Sequence, residues 1–177
     1  MAEYQNKKIG ILGGSFDPAH KGHLLISKIA LRKIKLKKIY WVVARKNPFK
    51  KKPLYSLKKR LLLAKKITKN TKKIKILYLD EIIKSSRSIE VVKYILKKYK
   101  TKDIYFIVGS DILLELHKWK SWKRIVKLTK LIVFSRKGYD RNRVNSVVAK
   151  YLKNKKIKYI KNKRINISSS SLRRKLK

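Results

Sequence analysis

The chain contains no cysteine, which excludes a disulfide framework and thiol chemistry. Acidic residues are nearly as scarce: 9 Asp and Glu stand against 52 Lys and Arg, a formal net charge of +43 over 177 residues. Histidine occurs only 3 times. No stretch approaches the roughly 18 uninterrupted apolar residues of a membrane span. The first residues, Met1-Ala2-Glu3-Tyr4-Gln5-Asn6, lack the apolar core of a signal peptide. These absences predict a soluble, cytoplasmic protein with no membrane partner. The apolar share of 44% excludes disorder by composition. The length predicts one domain, residues 1–177, with a real core.

Such a charge raises the question of a nucleic-acid partner, because Lys and Arg neutralise phosphates and release counterions. The cations are not gathered in one arm or stripe. They recur at Lys33–Lys38, Lys50–Lys52, Lys72–Lys75 and Lys153–Lys158. That spread points to compositional lysine bias on solvated faces, with nonspecific polyanion binding as a side effect. An anionic substrate would be drawn to almost any cleft, and the few carboxylates become informative by their rarity.

Apolar runs at Lys8–Leu12, Ile39–Ala44, Ile74–Leu79, Ile104–Val108, Leu131–Ser135 and Ile157–Ile160 read as strands. Helical patterns lie between them at Gly22–Lys33, Ser56–Thr68, Ser88–Lys100, Asp111–Glu115 continuing through Trp122–Leu128, and Arg141–Lys153. A short helix begins near Ser169. This alternation predicts an α/β fold: a doubly wound parallel sheet of five to six strands with helices on both faces. Ligands of such sheets bind beyond the carboxyl ends of the strands. Three candidate motifs obey that rule: Gly13–His23 after the first strand, Gly109-Ser110-Asp111 after the fourth, and Arg136-Lys137-Gly138-Tyr139 after the fifth.

The first motif, Gly13-Gly14-Ser15-Phe16-Asp17-Pro18-Ala19-His20-Lys21-Gly22-His23, joins a strand to a helix start. Its glycines let backbone approach a phosphate, and the helix N-terminus supplies N–H donors. His20 and His23 are three apart, so they share a face, and two imidazoles there can donate to phosphate oxygens. A zinc site would want more ligands, and the only other histidine is His117, which reads as a loop residue. Structural histidines are the other alternative. Asp17 is either a weak metal ligand or, the favoured reading, an acceptor of backbone N–H groups that fixes the turn.

The segment His20-Lys21-Gly22-His23 resembles the H-x-G-H signature of the nucleotidylyltransferase superfamily. Gly109-Ser110-Asp111-Ile112-Leu113-Leu114, Trp119-Lys120-Ser121-Trp122, Arg136-Lys137-Gly138-Tyr139 and Ile167-Ser168-Ser169-Ser170-Ser171-Leu172-Arg173 follow in order. Together they are similar to the blocks of bacterial nicotinate-nucleotide adenylyltransferases. The resemblance covers nearly the whole chain and implies their Rossmann-like fold, with a phosphate-binding C-terminal segment at about 166–177. It implies adenylyl transfer from ATP to nicotinate mononucleotide by direct in-line attack, giving nicotinate adenine dinucleotide and pyrophosphate in NAD biosynthesis. Mg²⁺ would accompany ATP, held mostly by phosphate oxygens and water, with no dedicated protein metal site.

The resemblance also assigns residues. His20, His23 and Arg173 would be catalytic. ATP would meet Gly13, Gly14, Ser15, Phe16, His20, His23, Gly109, Asp111, Arg136, Ser169, Ser170 and Arg173. Arg136 would lie near the adenine or the phosphates, and Ser170 stands where threonine is usual. Nicotinate mononucleotide would meet Asn47, Lys50, Ser88, Asp111 and Trp119. In these roles Trp119 stacks on the nicotinate ring, Asp111 accepts from ribose hydroxyls, and Lys50, Lys51 or Lys52 reaches phosphate. Arg87 replaces the usual tyrosine before Ser88, and Trp122 reads as core. Two rivals stay open: a pantetheine-phosphate adenylyltransferase of the same superfamily, and a basic nucleic-acid-binding protein on this fold. Oligomeric state is not legible.

Overall fold

The computed structural model describes residues 7–46, 52–161, 169 and 172. Six strands form one parallel sheet: β1 (Ile9–Gly14), β2 (Lys38–Val43), β3 (Ile74–Leu77), β4 (Ile104–Gly109), β5 (Lys130–Phe134) and β6 (Ile157–Ile160). Their order is β3-β2-β1-β4-β5-β6. The chain steps outward from β1 through β2 to β3, then returns to β4 on the other side of β1. The switch point therefore lies between β1 and β4, where open sheets of this kind hold ligands.

Every strand except the short ends buries both faces, so the sequence reads as apolar runs rather than alternation. Ile9 and Ile11 of β1, Phe106 and Val108 of β4, and Leu131 and Val133 of β5 face one core. That core is closed by α3 (Ser88–Tyr99), α4 (Ser110–Glu115), α5 (Trp122–Leu128) and α6 (Val147–Tyr151). Leu12, Ile39, Trp41, Ile107 and Ile132 face the other core, closed by α1 (Lys21–Lys33) and α2 (Leu57–Thr68). Gly10 leaves no room for a side chain beside the second core. A Cβ there would sit 2.8 Å from Ile39 Cγ1 and 2.9 Å from Leu36 Cδ1.

Three elements depart from the sequence expectation. β3 stops at Leu77 rather than Leu79, at the sheet's edge, although Leu79 stays buried. The helical stretch expected from Asp111 to Leu128 is divided into α4, a 3-10 turn at Leu116–Lys118, and α5. The break is backbone: Trp119 is extended and Ser121 adopts φ 61 before α5. The expected helix at Arg141–Lys153 contracts to a 3-10 turn, Arg143–Asn145, and α6, where the Ser146 hydroxyl accepts from Ala149 N–H as N-cap. Ser169 and Leu172 carry helical backbone, at the place expected for the last helix.

Candidate active site

The carboxyl ends of the strands gather the residues singled out by sequence. β1 ends in Gly13 and Gly14, whose partners in β2 are Val42 and Val43. At Gly13 a Cβ would meet nothing within 4 Å, so the glycine leaves open space at the sheet's end. The chain then turns through Ser15–Ala19, containing a cis Asp17–Pro18 peptide, into α1.

His20 is the N-cap of α1, and its Nδ1 accepts from the Gly22 N–H at 3.1 Å. His23, in the first turn, accepts in return at Nδ1 from the His20 N–H at 3.2 Å. This is a capping box built from two imidazoles. It has a chemical consequence. A ring nitrogen that accepts cannot carry the proton, so each neutral ring carries it on Nε2. The helix cap thus puts the proton of both adjacent rings on Nε2, with ring centroids 3.9 Å apart. His23 is further held between Phe16, at 4.9 Å, and the edge of Trp41, at 5.9 Å. Trp41 is fixed by donating from Nε1 to Ser27 Oγ at 2.8 Å, and that hydroxyl donates to the His23 carbonyl.

Burial pushes the His20 imidazole down to about 4 from an ordinary 6.5, and the Arg136 charge adds to the shift. Below pH 6.5 the unfolded chain takes up a proton that the folded chain refuses until about pH 4. Stability therefore falls as pH drops through that window and is unaffected by His20 above it. His20→Asn keeps an N-cap acceptor without a titrating ring. Melting temperatures measured from about pH 7 to about pH 4 should fall less steeply in this variant than in the parent. Parallel curves would show that His20 does not titrate in this window.

The other loops converge on the same end. Asp111, in the first turn of α4, binds the Arg136 guanidinium through Oδ2 at 2.7 Å. Its Oδ1 is buried and has no hydrogen-bond partner among the described residues. Gly109 makes room for that oxygen, because a Cβ at Gly109 would collide with it. The Arg136 backbone N–H donates to Ser110 Oγ at 2.9 Å and to Asp140 Oδ1 at 3.1 Å. Ser169 Oγ donates to the Pro18 carbonyl at 3.0 Å, which places Ser169 against the β1–α1 turn. Five of the 9 acidic residues, Asp17, Asp80, Glu81, Asp111 and Asp140, lie in loops or first turns after β1, β3, β4 and β5. In so basic a chain this is the distribution of carboxylates that hold a site together.

The remaining expectations divide. Phe16 is 2% exposed and stacks on Trp41, so its side chain packs in the core and only its backbone can face a nucleotide. Ser15 is placed in the same turn and turns its carbonyl toward α2. Asp17 accepts backbone N–H bonds, but from Leu54 at 2.8 Å and Tyr55 at 2.9 Å rather than from its own turn. It therefore ties the β1–α1 turn to the start of α2. Trp119 is half-buried, edge-on to Phe106 at 6.2 Å, and Trp122 packs edge-on against Tyr151. Ser88 opens α3, half-buried, behind Arg87 as N-cap. His117 lies in the 3-10 turn rather than a loop, and its Nδ1 is buried without a partner among the described residues. Asn47, Lys50, Ser170 and Arg173 lie outside the described residues. Among the described residues no three His, Cys, Asp or Glu side chains converge to hold a metal ion.

Sequence reasoning missed Arg60, Ser27 and Ser110. Ser110 was visible in the Gly109-Ser110-Asp111 block, but Arg60 and Ser27 carry no local signal.

Comparison with known proteins agrees with this arrangement. A cytidylyltransferase-like family model matches residues 11–175. A probable nicotinate-nucleotide adenylyltransferase of Pelagibacter ubique is 45% identical over 167 residues, covering 94% of this chain and 92% of that protein. A probable nicotinate-nucleotide adenylyltransferase of Clostridium novyi is 33% identical, covering 97% of this chain and 88% of the relative. Among solved structures, Plasmodium falciparum nicotinic acid mononucleotide adenylyltransferase complexed with NaAD superposes with a TM-score of 0.74 at 24% identity, over 95% of this chain and 83% of that one. That likeness concerns the fold. With the sequence relatives and the family match, it leads to one conclusion: the chain belongs to the cytidylyltransferase-like family, among the nicotinate-nucleotide adenylyltransferases.

Proposed function

We propose that the chain transfers the adenylyl group of ATP to nicotinate mononucleotide, giving nicotinate adenine dinucleotide and pyrophosphate. The observation that carries this reading is the histidine capping box that follows the β1–α1 turn, in which both Nδ1 atoms accept backbone N–H bonds and so place the ring protons on Nε2. The phosphate oxygen of the mononucleotide attacks the α-phosphorus of ATP. The bond from that phosphorus to the bridging oxygen breaks, and pyrophosphate leaves with the electron pair. Charge spreads over the phosphoryl oxygens during the step, so fixed donors aimed there stabilise the transition state more than the bound substrate. No protein nucleophile is needed.

In this reading His20 and His23 donate to phosphate oxygens, with neutral His20 able to do so throughout the physiological range. The backbone of Gly13, Gly14, Ser15 and Phe16 lines the phosphates, with Ser169, Ser170 and Arg173 closing from the C-terminal side. Asp111 takes ribose hydroxyls at its unpartnered Oδ1, held in aim by Arg136. Trp119 stacks on the nicotinate ring, with Asn47, Lys50 and Ser88 completing that pocket. Mg²⁺ would arrive on ATP, ligated by phosphate oxygens and water, and would screen the triphosphate charge. Both Asp17 oxygens accept backbone N–H bonds, which supports its turn-fixing reading over a metal role.

The test is pyrophosphate release from ATP with nicotinate mononucleotide, nicotinamide mononucleotide or phosphopantetheine as acceptor. The expected result is the highest kcat/KM with nicotinate mononucleotide. Equal values for the two mononucleotides would remove the acid preference, and turnover with phosphopantetheine alone would replace the assignment.

A further inference from the structure

One cation among the described residues is unlike the others. Arg60, in the first half of α2, is 2% exposed, whereas Lys58, Lys59, Lys65 and Lys66 of the same helix are exposed. Burying a guanidinium is expensive unless its donors are satisfied. Arg60 forms no ion pair among the described residues; it spends its donors on carbonyl oxygens instead. Nη1 donates to Ser15 at 2.6 Å and Ala44 at 2.8 Å, Nη2 to Arg45 at 3.0 Å, and Nε to Tyr55 at 3.1 Å.

Those carbonyls belong to three segments, two of which follow the paired strands β1 and β2. Ser15 lies in the β1–α1 turn, Ala44 and Arg45 follow β2, and Tyr55 precedes α2. Two carboxylates complete the network from the other side. Asp17 accepts from Leu54 and Tyr55, and Asp80 accepts from the Arg45 N–H at 2.9 Å. A trans peptide points its C=O and N–H in opposite directions. Pinning the Ser15 carbonyl on Arg60 therefore turns the Phe16 N–H away from α2.

We infer that Arg60 is a positioning residue: it locks the phosphate-facing β1–α1 turn and the segment after β2 into one register, so that the two substrates of the proposed reaction meet in line. This rests on the proposed adenylyl transfer. Alignment of this kind is sensitive, since misplacement by about 1 Å can cost on the order of a hundredfold in rate. Lysine cannot replace Arg60, because an ammonium has no planar fork to span four carbonyls.

The test compares Arg60→Lys, Arg60→Met and Arg60→Gly with the parent, first by circular dichroism and melting, then by kinetics. In folded Arg60→Met, kcat should fall about ten- to a hundredfold with KM for both nucleotides rising together. Arg60→Lys should remain impaired. Added methylguanidine should restore kcat severalfold in Arg60→Gly, and should not help His23→Ala. Amide exchange supplies a readout that does not depend on the reaction: it should speed up at residues 13–17, 44–46 and 54–55 and stay unchanged in β4 and β5. If the parent transfers no adenylyl group, the functional reading fails while the exchange result still decides the role of Arg60. Folded Arg60→Met with kcat and both KM values within about twofold of the parent, or exchange unchanged in those segments, would overturn the inference. So would activity lost only in proportion to unfolded protein, with no guanidine rescue.

Discussion

His23→Ala should lower kcat by about a hundredfold or more, with the fold intact, because removing one fixed donor to a developing anionic charge has that typical effect. The comparison that gives the result meaning is at His20. His20→Ala removes both an Nε2–H donor and the α1 N-cap, and the cap alone is worth about 1 kcal/mol of stability. His20→Asn keeps an acceptor for the Gly22 N–H and loses the donor. If the histidines act as transition-state donors, Asn and Ala at position 20 should lose similar amounts of kcat while Asn melts higher. If they serve only as a capping box, Asn should be nearly as active as the parent. Steady-state rates at saturating ATP and mononucleotide, paired with melting curves, separate the two roles.

Asp111→Ala should raise KM for at least one nucleotide by about ten- to a hundredfold, since a hydrogen bond to a charged group contributes about 1.5–3 kcal/mol. The geometry behind this is specific. One carboxylate oxygen is held by Arg136, and the other is buried with no partner among the described residues. Buried polar atoms are nearly always paired, so an orphan acceptor beside the switch point is a place for a ligand's hydroxyl. Gly109→Ala offers a second route to the same effect, because the new Cβ would displace that oxygen without removing the charge. Both variants should share a raised KM with a smaller change in kcat. An unchanged KM for both nucleotides in Asp111→Ala would take Asp111 out of the binding site.

What the sequence reveals follows from where its signals reside. The parallel sheet is legible because strands buried on both faces must be apolar throughout. The site motifs are legible because the glycines, histidines and rare carboxylates cluster just after those strands. Arg60 is not: in the run Lys58-Lys59-Arg60 it reads as one more solvated cation, and its burial depends on carbonyls 5 to 45 positions away. Ser27 is hidden similarly, since its role is to receive Trp41 from a neighbouring strand. The division of the Asp111–Leu128 stretch has no proline or glycine to announce it, and the backbone turns at Trp119 and Ser121 in spite of local helical character. Phe16 reads as a ligand contact because it sits in the phosphate motif, yet only the backbone can face outward there and the ring serves the core. Asp17 accepts backbone N–H bonds, as its place in the turn suggests, but its partners lie across the site.

The proposed reaction is a single direct displacement at the α-phosphorus, aligned and electrostatically supported by side chains that never bond to it. Transfer from ATP carrying a chiral phosphorothioate at the α-position tests this most directly. One in-line displacement inverts the configuration, so the dinucleotide product should show inversion at that phosphorus. Retention would mean two displacements through a covalent adenylyl-enzyme, and would contradict the role of His20 and His23 as donors to a transition state that forms no bond to the protein.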